Sequence, residues 1–156
     1  MKTVRLFVTD VDGVLTSGHT LFGPSGPLGK WFSVRDGYAC ELLRERGVIH
    51  ELLTREESEI TAARARWLKL ALHAGVQNKL DFLVKRATEL GLTADQVAYM
   101  GDDVFDVEAM RWAGWSMAPA DAHEAARGAA TFVTTRRGGD GAFREAVEAL
   151  ITRGAF

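Results

Sequence analysis

The chain has 156 residues, 47% apolar and 26% charged, which suits one globular domain spanning residues 1–156 and excludes a disordered or disulfide-held peptide. Its net charge of -2, with Lys, Arg, Asp and Glu interspersed, offers no basic stripe to a nucleic-acid backbone, so nucleic acid is not an expected partner. Thr9 and Asp10 interrupt the first apolar run, and nothing approaches the ~18 apolar residues of a membrane span or the ~7–15 of a secretory core, so a cytoplasmic protein without membrane contact is expected.

Taken in chain order, "TVRLFVTDV" reads as a buried strand that ends on two carboxylates, Asp10 and Asp12. The next stretch, about residues 17–34, holds two of the three prolines and several glycines; Gly-Pro-Ser-Gly is turn chemistry, and its apolar flanks predict a projecting hairpin. "GYACELLRERG" has helical spacing, with the lone Cys40 on its apolar side as a core residue. "VIHELLT" is a strand in which His50 and Glu51 mark a start or a sheet edge. "SEITAARARWLKL", "LALHAG", "KLDFLVKRATELG", "QVAYMGDD", "VFDVEAMRWAG", "GWSMA", "ATFVTT" and "GAFREAVEALI" continue the alternation of helix and strand. Gly47, Gly91 and Gly114 follow helical runs, where a left-handed residue ends a helix. His123 is read as a cap or packing residue, and Trp31, Trp112 and Trp115 as core or subunit contacts. The alternation predicts a three-layer, Rossmann-like α/β fold, a parallel sheet covered by helices on both faces.

In such sheets the functional crevice lies beyond the carboxyl ends of the strands. The residues there are Asp10 and Asp12, then Thr54, then Lys79 opening a helix, then Asp102, Asp103 and Asp106. Singly each is an ordinary turn or capping residue; together they suit phosphoryl transfer. One of the two leading carboxylates can attack phosphorus while the other exchanges a proton with the leaving oxygen. A phosphate dianion would be repelled by this acidic group, so a hard cation such as Mg²⁺ is required. Lys79 and the Thr54 hydroxyl would stabilise the phosphoryl oxygens. Gly13 comes too early and Val14 is wrong for a calcium loop, and no P-loop is present.

"DVDGVLT", Thr54, Lys79 and "GDDVFD" resemble, in order, the four motifs of the haloacid dehalogenase superfamily. The resemblance implies that Asp10 is the nucleophile and Asp12 the general acid and base. It implies further that Thr54 and Lys79 bind the phosphoryl group, and that Asp10, the Asp12 backbone carbonyl and Asp102 hold Mg²⁺. Asp103 and Asp106 would support the metal and Lys79. Dehalogenase members lack the second acid, so its presence implies a phosphatase. "FSVRDGYACELL", "GVQNKL" and "SMAPADAHEAARGAATFVTTRRGGDGAF" are similar to the branch acting on phosphates of 3-deoxy-2-keto sugar acids. That branch includes the octulosonate 8-phosphate and nonulosonate 9-phosphate phosphatases and the C-terminal module of some CMP-sialic acid synthetases. A homotetramer is implied. The spacing from Gly13 to Thr54 and from Thr54 to Lys79 leaves no room for a cap domain, so a neighbouring subunit is expected to close the site.

The chain departs from these relatives at "LLTREESEI". Arg55 replaces a glycine and is expected to bend the loop or add a phosphate contact. Glu56 tilts the expected substrate toward a nonulosonate, while Trp67 stands where that group has a basic residue. Arg64, Arg136 and Arg137 are candidates for the sugar-acid carboxylate. The alternatives are a catalytically weak tetramerising or regulatory module and a broader small-molecule phosphatase.

Overall fold

The computed structural model describes residues 3–156. β1 (Leu6–Thr9) is buried at every position, as a strand covered by helices on both faces must be. Its side chains alternate between two cores. Phe7 joins Leu43, Phe143 and Leu150 on one face, while Leu6 and Val8 join Leu83, Tyr99 and Met110 on the other. Each such buried side chain contributes about 1.5–3 kcal/mol of transfer free energy, which fixes the strand in the middle of the sheet.

Beyond β1 the chain enters a separate antiparallel hairpin, β2 (Leu21–Gly23) and β3 (Gly26–Gly29), tied at its base by a bridge between Thr16 and Phe32. Helix α1 (Val34–Glu45) begins earlier than its apolar spacing indicates, because the Ser33 hydroxyl accepts from the amides of Arg35 and Asp36. There follow β4 (Ile49–Leu53), α2 (Glu59–Leu68), β5 (Ala71–His73), α3 (Lys79–Glu89), β6 (Val97–Met100), α4 (Val107–Trp112), β7 (Trp115–Ala118), α5 (Glu124–Ala129), β8 (Phe132–Val133) and α6 (Ala142–Thr152). Residues 104–106, expected to begin an α-helix, form a 3-10 turn capped by the Asp103 carboxylate.

The six long-range strands form one sheet in the order β5-β4-β1-β6-β7-β8, parallel throughout. His50 therefore lies in an interior strand, not at an edge. Its ring stacks on Phe143 at 4.9 Å and its Nε2 hydrogen-bonds with the Thr9 hydroxyl at 2.9 Å. Burial, then the Arg44 charge, holds its pKa down to about 3, so it is a neutral core residue. Glu51 is satisfied on the opposite face by the Arg86 fork and by His73 Nε2. Cys40 is buried, and burial pushes its thiol up to about 12. Trp112 and Trp115 pack against the cores, whereas Trp31 is 80% exposed on the hairpin side. His123 caps α5 through Nδ1, which accepts from Ala125 N. Gly47 and Gly91 take the expected left-handed conformation (φ 70° and 67°), but Gly114 does not; a side chain there would meet the Asp95 backbone at 2.5 Å.

One long-range contact fastens the last helix. Gly141 opens α6 with no side chain to cap it, and Asp36 of α1 accepts instead from the amides of Gly141 (3.3 Å) and Arg144 (2.9 Å). No domain is inserted among residues 13–79, which hold only the hairpin, α1, β4, α2 and β5, so the carboxyl ends of the central strands stay open. Among the described residues no helix is long and apolar enough to cross a membrane.

Candidate active site

The register of the sheet assembles the site. Thr9 of β1 lies opposite Leu52 of β4 and Met100 of β6, so Asp10, Thr54 and Asp102 emerge within about one residue of a common level. Lys79 enters from the first turn of α3, where Asn78 caps the helix by accepting from Asp81 N. The resulting cavity, about 430 Å³, is lined by Asp10, Asp12, Thr54, Arg55, Glu56, Gln77, Lys79, Asp102, Asp103, Phe105 and Asp106.

At its floor the buried Lys79 ammonium donates to Asp10 Oδ1 at 2.8 Å and to Asp106 Oδ1 at 2.6 Å. Burial disfavours the lysine charge, but these two carboxylates outweigh it and hold the lysine pKa above its ordinary value. Asp106 also receives the Tyr99 hydroxyl at 2.7 Å and the amides of Asp102 and Asp103 at 3.1 Å each. Burial, then the Asp106 charge, pushes the Tyr99 hydroxyl well above its ordinary value, which keeps it a donor. With four donors on it, Asp106 is a holder of Lys79. The Asp103 carboxylate makes no hydrogen bond to Lys79: it accepts from Val104 N and caps the 3-10 turn.

Carboxylate oxygens of Asp10, Asp102 and Asp106 lie within 4.8 Å of one another. Because Asp106 is saturated, Asp10 and Asp102 are left as the pair able to hold a cation. Burial, then Asp106, pushes Asp10 up to about 6, and burial, then the Asp10 charge, pushes Asp102 up to about 9. Two carboxyls that cannot both ionise alone, with oxygen donors only, fit a hard divalent ion. Gly13 makes the approach possible. Its φ is 88°, and a Cβ there would fall 1.9 Å from an Asp102 oxygen.

The Asp12 carboxylate lines the same cavity but lies outside this cluster. Lys30, immediately after β3, reaches both its oxygens (2.9 and 3.1 Å) and also pairs with Glu56. Burial works against the Lys30 charge, yet the hydrogen bonds of Glu56 and Asp12 hold its pKa above the ordinary lysine value. The motif spacing gives no hint of Lys30, but one signal was present: it is the one Lys, Arg, Asp or Glu between Gly13 and Val34. Thr54 is buried and its Oγ1 accepts from Glu56 N at 3.2 Å, leaving its hydroxyl hydrogen free to donate. Arg55 is drawn across the mouth by Gln77 Oε1 (2.7 and 3.1 Å) and lies 3.7 Å over the Phe105 ring.

Three expected carboxylate binders do not line this cavity. Arg64 donates to Ser33 O at 3.2 Å and lies over Phe32, tying α2 to the start of α1. Arg137 pairs with Asp121 and is largely exposed. Arg136 lines a separate surface cavity with Arg35 and Arg144. The glycines between them and α6 do approach the site, since Gly139 N donates to Val14 O at 2.9 Å, bracing the loop that follows Asp12.

An open parallel sheet whose strand ends bring together an aspartate, a lysine, a threonine and a second carboxylate defines a capless α/β hydrolase of phosphate esters. Residues 44–145 match the family model of haloacid dehalogenase-like hydrolases. The chain is 34% identical over 151 residues to the 3-deoxy-D-manno-octulosonate 8-phosphate phosphatase of Escherichia coli K12, covering 96% of this chain and 80% of that protein. It superimposes on the cobalt-bound deoxy-D-mannose-octulosonate 8-phosphate phosphatase of Haemophilus influenzae with a TM-score of 0.91, at 34% identity, over 97% of this chain and 90% of that one. The corresponding enzyme of Moraxella catarrhalis, solved with magnesium ion, phosphate ion and KDO, gives a TM-score of 0.91 at 33% identity, over 96% and 86%. The chain thus belongs to the haloacid dehalogenase-like hydrolases, as a phosphatase of the 3-deoxy-D-manno-octulosonate 8-phosphate phosphatase family.

Proposed function

We propose that the chain hydrolyses 3-deoxy-D-manno-octulosonate 8-phosphate in the cytoplasm, as one catalytic domain, with Mg²⁺ as its cofactor. The observation that carries this reading is Lys79, buried and bridging Asp10 to Asp106 at the floor of a cavity that also holds Asp102 and Thr54. Its relatives favour the eight-carbon acid over the nonulosonate that Glu56 favours, and here Glu56 is engaged by Lys30.

Asp10 attacks phosphorus as nucleophile, held in line by Lys79. Lys79 and the Thr54 hydroxyl take the negative charge that spreads over the phosphoryl oxygens. Asp12 gives a proton to the departing sugar oxygen, and then takes one from the water that cleaves the aspartyl-phosphate. Mg²⁺ would be held by the carboxylates of Asp10 and Asp102 and, since the Asp12 carboxylate is committed to Lys30, by the Asp12 main-chain carbonyl. When bound it offsets the repulsion between these carboxylates and the phosphate. Arg55, fixed at the mouth, faces the substrate's anionic end with the guanidinium N–H groups that Gln77 does not use.

A homotetramer completes the site in this reading. Leu21, Phe22, Leu28 and Trp31 are 60–80% exposed on and beside the hairpin, apolar surface that assembly would cover. Arg136 and Arg137, absent from their own subunit's cavity, would then serve a neighbour's substrate carboxylate, whereas Arg64 is engaged by Ser33 O. The test is phosphate release from octulosonate 8-phosphate, nonulosonate 9-phosphates and generic sugar phosphates with Mg²⁺. The octulosonate ester should lead, and Asp10→Asn should abolish release. An active Asp10→Asn variant would sink the mechanism, and a preferred nonulosonate would sink the substrate.

A further inference from the structure

The Asp12 carboxylate is held chiefly by one side chain. Besides Lys30 it receives the Thr16 hydroxyl at 3.4 Å, a long contact. The Lys30 side chain is fully covered, whereas those of Asp12 and Glu56 are 32% and 45% exposed. A flexible four-carbon stem is thus immobilised between two carboxylates. The hairpin base that carries it is pinned by the Thr16–Phe32 bridge, only four residues from Asp12.

We propose that Lys30 is a positioning residue for proton transfer to the leaving group, holding the Asp12 carboxyl at the angle from which it protonates the sugar oxygen, with Glu56 holding Lys30 in turn. This rests on the phosphatase reading above. In the first step the Asp10–phosphorus bond forms, the bond from phosphorus to the leaving oxygen breaks, and the Asp12 proton passes to that oxygen. A sugar alkoxide is a poor leaving group and needs that proton; p-nitrophenolate leaves without it. Misplacing Asp12 must therefore slow transfer from an alkyl phosphate and spare transfer from an aryl phosphate. The second step, in which Asp12 activates water, is common to both and contributes to kcat, so the discrimination is read in kcat/KM, which reports the first transfer.

The experiment compares kcat/KM of wild type and Lys30→Met on octulosonate 8-phosphate and on p-nitrophenyl phosphate, with saturating Mg²⁺. The expected result is a fall of roughly 10–100-fold on the sugar phosphate and less than about 3-fold on the aryl ester, the range of a displaced acid catalyst. Lys30→Arg, which can span the same two carboxylates, should recover most of the loss. Lys30→Gln, with melting curves for all variants, carries the test if Lys30→Met does not fold. Equal losses on both esters, or none on either, would overturn the role of Lys30. Wild type inactive on both esters would instead overturn the phosphatase reading on which it rests.

Discussion

Metal-free protein should lose stability as the pH rises from 5 to 8, and Mg²⁺ should restore it mainly at the alkaline end. The cause is the facing pair at the cavity floor. Burial and neighbouring charge push Asp10 to about 6 and Asp102 to about 9, from an unfolded value of 3.8. A carboxyl with a raised folded pKa keeps a proton that the unfolded chain has released, so its contribution is present below the unfolded pKa and is lost as the pH climbs to the folded one. At about 1.4 kcal/mol per pH unit, Asp102 costs about 4 kcal/mol between pH 5 and 8, and Asp10 about 1 kcal/mol, confined to pH 5–6. Asp36, also raised by burial, acts in the same direction.

His50 opposes them. Held down to about 3 by burial and then Arg44, it lacks in the folded state a proton that the unfolded chain binds below 6.5. It returns about 2 kcal/mol between pH 5 and 6.5, leaving a net loss of about 3 kcal/mol. The two carboxyls titrate as a pair, so the total is the quantity to measure. A divalent cation competes with their protons and binds only the folded site, so its stabilisation grows with pH. Urea unfolding of chelator-treated protein at pH 5, 6.5 and 8, with and without excess Mg²⁺, followed by tryptophan fluorescence, reads both effects. A flat profile without metal, or equal stabilisation by Mg²⁺ at pH 5 and 8, would refute the reasoning.

Gly13→Ala should weaken Mg²⁺ by roughly 10–100-fold in an activity titration, because the new methyl displaces Asp102; unchanged Mg²⁺ dependence would place Asp102 outside the cation site. Asp36→Ala should cost about 2–4 kcal/mol in chemical denaturation by orphaning the buried Gly141 amide and the half-buried Arg144 amide at the start of α6, and Asp36→Asn about half of that, since one acceptor remains. A loss under about 0.5 kcal/mol for alanine would mean that water replaces the cap. Tyr99→Phe removes one of four donors on Asp106, and should lower kcat about 10-fold through Lys79 with little change in KM. An unaltered kcat would show that Lys79 needs only the remaining contacts.

The candidate site was legible in the sequence because its parts are local. Asp10, Thr54 and Asp102 each follow an apolar run, and Lys79 opens a helix after another. A parallel sheet delivers all such positions to one edge, so recognising strand ends is nearly the same as locating the crevice. The alternation of strand and helix predicted that sheet for the same reason: doubly covered strands have no polar face, as β1 illustrates. His50 does stand at the start of β4, but it misled as an edge marker because a buried histidine, neutral and bonded to Thr9, looks in sequence like an exposed one.

What only the tertiary structure decided depends on pairs remote in the chain. Asp36 caps a helix 105 residues away, Lys30 reaches Glu56 across 26 residues, and Arg64, similar in type to a substrate binder, instead fastens Ser33. No spacing rule encodes such meetings, since they follow from which helix faces pack together and where a hairpin folds back. The sequence by itself determined the order and chemical type of the groups that meet in the cavity. Tertiary packing determined how Asp12 is held, how Asp106 accepts from Lys79, and which arginines stay outside the cavity, because side-chain direction is fixed by tertiary contacts and not by position along the chain.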